Sequence, residues 1–114
     1  MLKIELEYKR GILFIRLNGS LNNNTSYLLK DAISNAVLKG GIKYLVINFE
    51  KLYSVDDKGL SSIVCSYKEY LNIIDKIMIC GYQDNKNIKI ENTELKKYAS
   101  FALNELSACN LINI

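Results

Sequence analysis

The sequence has 114 residues and contains no histidine, which removes several kinds of chemistry. A serine nucleophile usually needs a histidine base, and zinc sites use histidine or closely spaced cysteine ligands. The cysteines Cys65, Cys80 and Cys109 have no short mutual spacing, so we expect reduced, mostly buried small hydrophobic residues. Phosphate-binding loops of the GxGxxG or GxxxxGK type are also missing. We therefore expect no enzyme, no metal and no cofactor.

A long apolar segment and a strong charge of one sign are missing as well. No stretch approaches the roughly 20 consecutive apolar residues of a membrane helix. The net charge is only +3, and the lysines are scattered, which favours a solvated surface over a nucleic-acid interface. Apolar residues make up 49% of the chain, enough for one core in a single domain spanning residues 1–114. Together with reduced cysteines, these features predict a cytoplasmic protein.

Hydrophobic periodicity predicts an α/β domain with a mixed sheet. Residues 2–8 alternate apolar and charged side chains, as in a strand near a sheet edge, and residues 12–17 would complete an opening hairpin. The later strands are connected by helices, which implies parallel strands with right-handed crossovers. The predicted order is β-β-α-β-α-β-α, with room for a terminal strand. Its later elements are a helix ending at 40–41, a strand at 44–49, a loop at 50–55, a helix from 56 or 57 to 74, a strand at 76–81, a loop at 82–91, a helix along 95–106 and the terminal strand at 111–114.

The acidic turn Asp56-Asp57-Lys58-Gly59 is the first candidate site, between a predicted buried strand and a helix. Aspartate is a preferred N-cap, and a second acid in the first turn suits the helix dipole. Ligands of open α/β sheets meet such loops beyond the carboxyl ends of strands. The two interpretations are compatible if Asp56 caps the helix while Asp57 points outward. A receiver-type phosphorylation site would need acids after an earlier strand, and residues 18–22 contain none.

A second polar turn, Asn22-Asn23-Asn24, and the aromatic residue Tyr53 complete the set of candidates. Three carboxamides can donate and accept hydrogen bonds, although an ordinary polar turn has the same composition. Tyr53 lies beside the acidic turn and is the tyrosine best placed to anchor an interface.

Two motifs in these segments resemble those of STAS domains. The sequence LNGSLN at residues 17–22 is similar to the family's L-x-G-x-L-D after the second strand, and LVINF at 45–49 followed by YSVDDKGL at 53–60 resembles "vvlDl…v…iDSxGL". The similarity covers residues 1–80 well and the last third weakly. It is strongest to small free-standing bacterial anti-sigma factor antagonists, and the STAS element order agrees with the order derived from periodicity.

The resemblance implies a regulatory binding protein. Antagonists of this type bind an anti-sigma factor that is also a serine kinase, and thereby control sigma-factor-dependent transcription. Asp56 matches the motif aspartate, and Asp57 stands where the family has its phosphorylatable serine. Aspartate carries one negative charge against about −1.5 to −2 for phosphoserine, so Asp57 imitates the phosphorylated state only in part. Standard serine switching is therefore absent or moved, and binding is either constitutive or held in the phospho-like state.

The predicted partner-binding residues are Asn22, Asn23, Tyr53, Asp56, Asp57, Lys58 and Gly59. The predicted partner is an anti-sigma factor resembling a serine kinase. The alternative is a STAS scaffold or accessory subunit of a signalling or lipid-transport complex. A homodimer is a further prediction, and a structural or assembly role predicts self-association through the edge of the first strand.

Overall fold

The computed structural model describes residues 1–82 and 94–112. Its elements are β1 (Leu2–Lys9), β2 (Ile12–Leu21), α1 (Ser26–Leu38), β3 (Tyr44–Val55), α2 (Asp57–Glu69), β4 (Lys76–Cys80), α3 (Leu95–Tyr98), β5 (Ala99–Ala102) and α4 (Glu105–Ile112).

The strands form one sheet in the order β1-β2-β3-β4-β5. β1 is antiparallel to β2, and all later pairs are parallel. The predicted mixed α/β sheet and the edge position of the first strand are therefore confirmed. Because β2 and β3 run in the same direction, their carboxyl ends meet at one edge of the sheet, beside the acidic turn.

The β1–β2 hairpin closes through a two-residue turn. Arg10 and Gly11 both have positive φ, at 54° and 82°, and Lys9 faces Ile12 across the ladder. Two positive φ values at these positions define a type I′ turn, whose twist matches that of the flanking strands. The turn sets the pairing register of the whole hairpin.

Helices cover both faces of the sheet unequally. α1, α2 and α3 lie over the larger core, where Ile15, Ile47 and Phe49 are fully buried. On the opposite face α4 covers a smaller apolar cluster that includes Phe14 and Met78. Burial on both faces explains why the central strands read as nearly continuous apolar runs.

Both strands beside the candidate site are longer than the sequence predicts. β2 continues through Leu21 and β3 through Val55, so the predicted end of the second strand at residue 17 and the predicted loop at 50–55 are wrong. The polar residues Ser20 and Ser54 pair across the ladder, which shifts register between Gly19 and Ser20. Pairing with a distant strand supplies the backbone hydrogen bonds that local turn propensity cannot predict.

The last third of the chain also differs from prediction. The single helix predicted along 95–106 is instead α3, β5 and α4. β5 pairs with β4 and so completes the sheet, and α4 begins after Asn104, whose Oδ1 accepts a 2.9 Å hydrogen bond from the Ser107 N–H. The predicted terminal strand is wrong at Leu111 and Ile112, which belong to α4, and the rest of it lies outside the described residues. The predicted loop at 82–91 also lies almost wholly outside them.

Two further expectations need correction. α2 ends at Glu69, short of the predicted end at residue 74, and Leu71, within the predicted helix, is 53% exposed. Of the three free cysteines, Cys80 is buried, Cys109 is half-buried and Cys65 is exposed. Burial raises the pKa of the Cys80 thiol to about 12, which makes it an unreactive packing residue.

Within residues 1–82 and 94–112, no helix has the length and apolar character needed to cross a membrane.

Candidate docking surface

Asp56 closes the N-terminus of α2 with its side chain. Its Oδ1 accepts a 2.8 Å hydrogen bond from the Gly59 N–H, while its backbone is extended at φ −105° and ψ 179°. The Asp56 N–H donates to the Leu21 carbonyl at 3.2 Å, which ties the turn to the end of β2. The carboxylate of Asp56 is therefore engaged in capping, as the sequence predicts.

Gly59 allows α2 to start in direct contact with β2. A Cβ built on Gly59 would lie 2.5 Å from the Leu21 carbonyl oxygen and 2.9 Å from the Leu21 Cγ. No larger side chain fits without moving the backbone, because the closest obstacle is itself a backbone atom. Gly59 is buried, and because it has no side chain it lets the acidic turn pack directly against β2.

Asp57 and Lys58 follow the cap and are both exposed on the first turn of α2. Tyr53 is 76% exposed on the carboxyl-terminal part of β3, and Asn23 is exposed on the loop before α1. These four side chains carry a negative charge, a positive charge, an aromatic ring and a carboxamide at one end of the sheet. We call them the docking surface.

Asn22 has a different position from Asn23. Its Oδ1 accepts hydrogen bonds from the backbone N–H groups of Asn24, at 2.8 Å, and Thr25, at 3.2 Å. The Thr25 hydroxyl in turn accepts from the Asn22 N–H at 2.9 Å and donates to the Ser20 carbonyl at 2.8 Å. Asn22 thus shapes the loop that presents Asn23, in the manner of an Asx turn.

Sequence reasoning did not single out two features at this end of the sheet. The hydroxyl of Ser54 donates to that of Ser20 at 3.1 Å, which joins the exposed ends of β3 and β2. Tyr27, on the first turn of α1, is an exposed aromatic residue. The sequence could have predicted the exposure of Tyr27, because this residue lies outside the apolar stripe of α1 formed by Leu29, Ile33 and Val37.

A network of ion pairs around Arg16, on the face of the sheet that α4 covers, was also not predicted. Arg16 on β2 forms a bidentate pair with Glu105 on α4, with both N–O distances at 2.8 Å, and its Nη1 contacts Glu5 at 2.8 Å and Glu7 at 3.0 Å. Hydrogen bonding to Arg16 is the main cause that holds the pKa of Glu105 below its usual value. Asn48 donates a further 2.9 Å hydrogen bond to the Glu105 carboxylate.

Arg16 and Glu105 line an open cleft of about 1050 Å³, and Lys3 and Lys51 line it as well. The cation of Arg16 is already paired with carboxylates, so the network serves to hold α4 against the sheet. Among the described residues, no group of three or more His, Cys, Asp or Glu side chains could hold a metal ion. The arrangement at the docking surface can bind through charge, ring and amide contacts.

The model of the STAS domain family matches residues 3–108. The chain belongs to the STAS domain family. A relative from Paenibacillus polymyxa, an anti-sigma F factor antagonist, is 25% identical over 113 residues, which are 99% of this chain and 97% of the relative.

Solved structures agree with the STAS fold. An anti-sigma factor antagonist from Mycobacterium paratuberculosis superposes with a TM-score of 0.76 at 15% identity, over 100% of this chain and 96% of its own. The anti-sigma factor antagonist SpoIIAA in its unphosphorylated form gives a TM-score of 0.72 at 19% identity, over 97% of this chain and 98% of its own. Within the STAS fold of this chain, the acidic turn lies at the carboxyl ends of β2 and β3, where the two motifs meet.

Proposed function

We propose that this STAS domain is a regulatory protein of the anti-sigma factor antagonist type. It would bind an anti-sigma factor resembling a serine kinase in the cytoplasm, without catalysing a reaction, and so control sigma-factor-dependent transcription. The observation that supports this role most directly is the exposed carboxylate of Asp57, beside a capping Asp56 whose own carboxylate is occupied. The name of the Paenibacillus relative supports the same class of partner.

The residues of the acidic turn divide into two groups in this proposal. Asp57, Lys58, Asn23 and Tyr53 contact the partner, because their side chains are exposed. Tyr53 supplies the aromatic anchor, since a tyrosine buries a large apolar area on binding at a low cost in conformational entropy. Asp56, Gly59 and Asn22 act indirectly, by holding the turn and the loop in place.

Asp57 gives this surface a charge that ATP cannot change. In an antagonist with serine at this position, phosphorylation adds about −1.5 to −2 of charge and three acceptor oxygens. Asp57 instead places a carboxylate, which no kinase adds or removes, in the first turn of α2. The affinity of the native chain for its partner is therefore independent of kinase activity at this position.

The test is affinity capture from native lysate, followed by titration of the recovered kinase-like partner by calorimetry. Asp57→Lys reverses the charge and is expected to weaken binding by roughly 10-fold or more, because like charges at an interface oppose association. Asp57→Ser restores an acceptor hydroxyl, so binding of this variant alone should become sensitive to ATP. The native chain should bind equally with and without ATP.

Asp75→Lys is the matched control. Asp75 is also an exposed aspartate, but it precedes β4 and so lies at the opposite end of the parallel strands. Equal affinities for Asp57→Lys, Asp75→Lys and the native chain would contradict the docking surface. Recovery of a transport or scaffold complex in place of a kinase-like protein would contradict the proposed partner.

A further inference from the structure

Among residues 1–82 and 94–112, no strand pairs with the outer edge of β1. β1 is the last strand of the sheet on its side, and its pairing with β2 continues from Leu2 to Lys9 without a register shift. The Ser20 N–H donates to the Met1 carbonyl, so the odd-numbered residues of β1 direct their backbone groups towards β2. The even-numbered residues Leu2, Ile4, Leu6 and Tyr8 therefore direct theirs outward.

The apolar side of this edge is only partly covered. Leu2 is buried, but Leu6 is 45% exposed and Tyr8 is 54% exposed on the side of the sheet that carries α1 and α2. The strand contains no proline and no bulge, two of the devices by which proteins prevent edge pairing. Its remaining protection is charge, at Lys3, Glu5, Glu7 and Lys9 on the other face.

Two symmetric registers give the longest ladder, one centred on Glu5 and one on Leu6, and the order of these charges decides between them. We propose that β1 pairs antiparallel with β1 of a second copy, in the register that places Glu5 opposite its own equivalent. Lys3 then faces Glu7 of the second copy, and Glu7 faces its Lys3, so two opposite-charge pairs form. On the apolar side Leu2 faces Tyr8, and Ile4 faces Leu6, which covers both half-exposed side chains.

Hydrogen bonding is satisfied in the same register. Each outward-facing residue, from Leu2 to Tyr8, lies opposite another outward-facing residue and exchanges both backbone hydrogen bonds with it. A register centred on Leu6 would instead place Lys3 opposite Lys9 and Glu5 opposite Glu7. Like charges directly opposite each other destabilise a sheet, so the order positive, negative, negative, positive along β1 disfavours that register.

The one like-charge contact in the proposed register is between the two Glu5 side chains. Arg16 of each copy already binds its own Glu5 at 2.8 Å and its own Glu7 at 3.0 Å. The nearby guanidinium groups offset the repulsion, since each carboxylate meets its equivalent as part of an ion pair. The Arg16 network is thus compatible with a symmetric interface.

The dimer joins two five-stranded sheets into one continuous sheet. β2 of one copy then runs antiparallel to β2 of the other, so the two docking surfaces lie at opposite ends of the assembly. Each remains free, and the dimer is bivalent towards its partner. Bivalence increases the apparent affinity for a partner that is itself dimeric or clustered.

Disulfide trapping tests the register. In a background with the exposed Cys65 replaced by serine, Glu5→Cys should form an intermolecular disulfide with its equivalent under mild oxidation. Opposed residues in a non-hydrogen-bonded pair have Cβ atoms about 4.5–5.5 Å apart, close to the ~3.5–4.5 Å of a disulfide. Glu7→Cys is the matched control and should not link to itself, whereas the double variant Lys3→Cys/Glu7→Cys should link. Peptide mapping identifies the joined residues.

Sedimentation of the full chain tests the interface without new cysteines. Between about 10 μM and about 1 mM, the native chain should shift from monomer towards dimer, and Leu6→Lys should weaken the association by roughly 10-fold or more. Leu38→Lys, at an 80% exposed position on α1, should leave the association unchanged. A native chain that stays monomeric throughout, or a Glu7→Cys variant that cross-links as readily as Glu5→Cys, would overturn the proposal and leave the edge to a strand of another protein.

Discussion

Replacing Gly59 with alanine tests whether contact between α2 and β2 positions the docking surface. The new Cβ would lie 2.5 Å from the Leu21 carbonyl oxygen, where ordinary contacts of a Cβ begin at 3.4 Å. The first turn of α2 must therefore move by about 1 Å, since the obstacle is backbone and cannot rotate away. The displaced turn includes the hydrogen bond between the Gly59 N–H and Asp56.

Two opposing effects set the size of the change. Overpacking of this kind costs about 1–3 kcal/mol. Alanine recovers up to about 1 kcal/mol through its better helix propensity, and less than that in a first turn. The net expectation is a loss of about 1–2 kcal/mol in the free energy of unfolding, equivalent to a fall in Tm of roughly 4–10 °C.

Urea denaturation followed by circular dichroism measures this loss, and calorimetry with the recovered partner measures its effect on docking. Ser61→Ala is the control, because Ser61 is exposed on the same helix. Its unfolding free energy should rise by a few tenths of a kcal/mol through propensity alone. If Gly59→Ala is as stable as the native chain or more so, the close approach of α2 to β2 does not limit this position, and the reasoning fails.

Three further substitutions have expected outcomes. Asp56→Ala removes the cap from the Gly59 N–H and should lower the unfolding free energy by about 1 kcal/mol in urea denaturation, while Asp56→Ser should recover most of it. Arg10→Asn should raise Tm, with a gain of about 0.5–1 kcal/mol, because Arg10 has φ 54° and asparagine tolerates this region better; a lower Tm would count against the hairpin geometry. Glu105→Gln should cost about 1–2 kcal/mol at pH 7, since it breaks the charged pair with Arg16. The folded-state pKa of Glu105 is lowered, so this contribution is present above the ordinary value of 4.5 and is lost as pH falls through the folded-state pKa. Melting curves of the variant and the native chain should converge in acid, and a constant gap would contradict the assignment.

The local sequence was sufficient to predict those elements whose residues interact within one short segment of the chain. The start of α2 was predicted because Asp56 is a strong cap followed by an apolar stripe, and the cap is present. Residues 2–8 gave an edge strand because their alternation leaves one charged face. The outward position of Asp57 followed from its place beside the capping Asp56 in the first turn of a helix.

The sequence by itself determined the number and order of the first elements, the hairpin, and the place of the acidic turn, because each depends on residues close together in the chain. Only the tertiary structure decided that residues 18–21 and 50–55 extend two strands, since their backbone partners lie on a distant segment. The tertiary structure also decided that an edge strand, β5, separates two helices within residues 95–106, because β5 forms its backbone hydrogen bonds with β4. The pair of Arg16 with Glu105, separated by 89 residues, belongs to the same class. Contacts of this kind depend on the packed sheet, and no local pattern of residues encodes them.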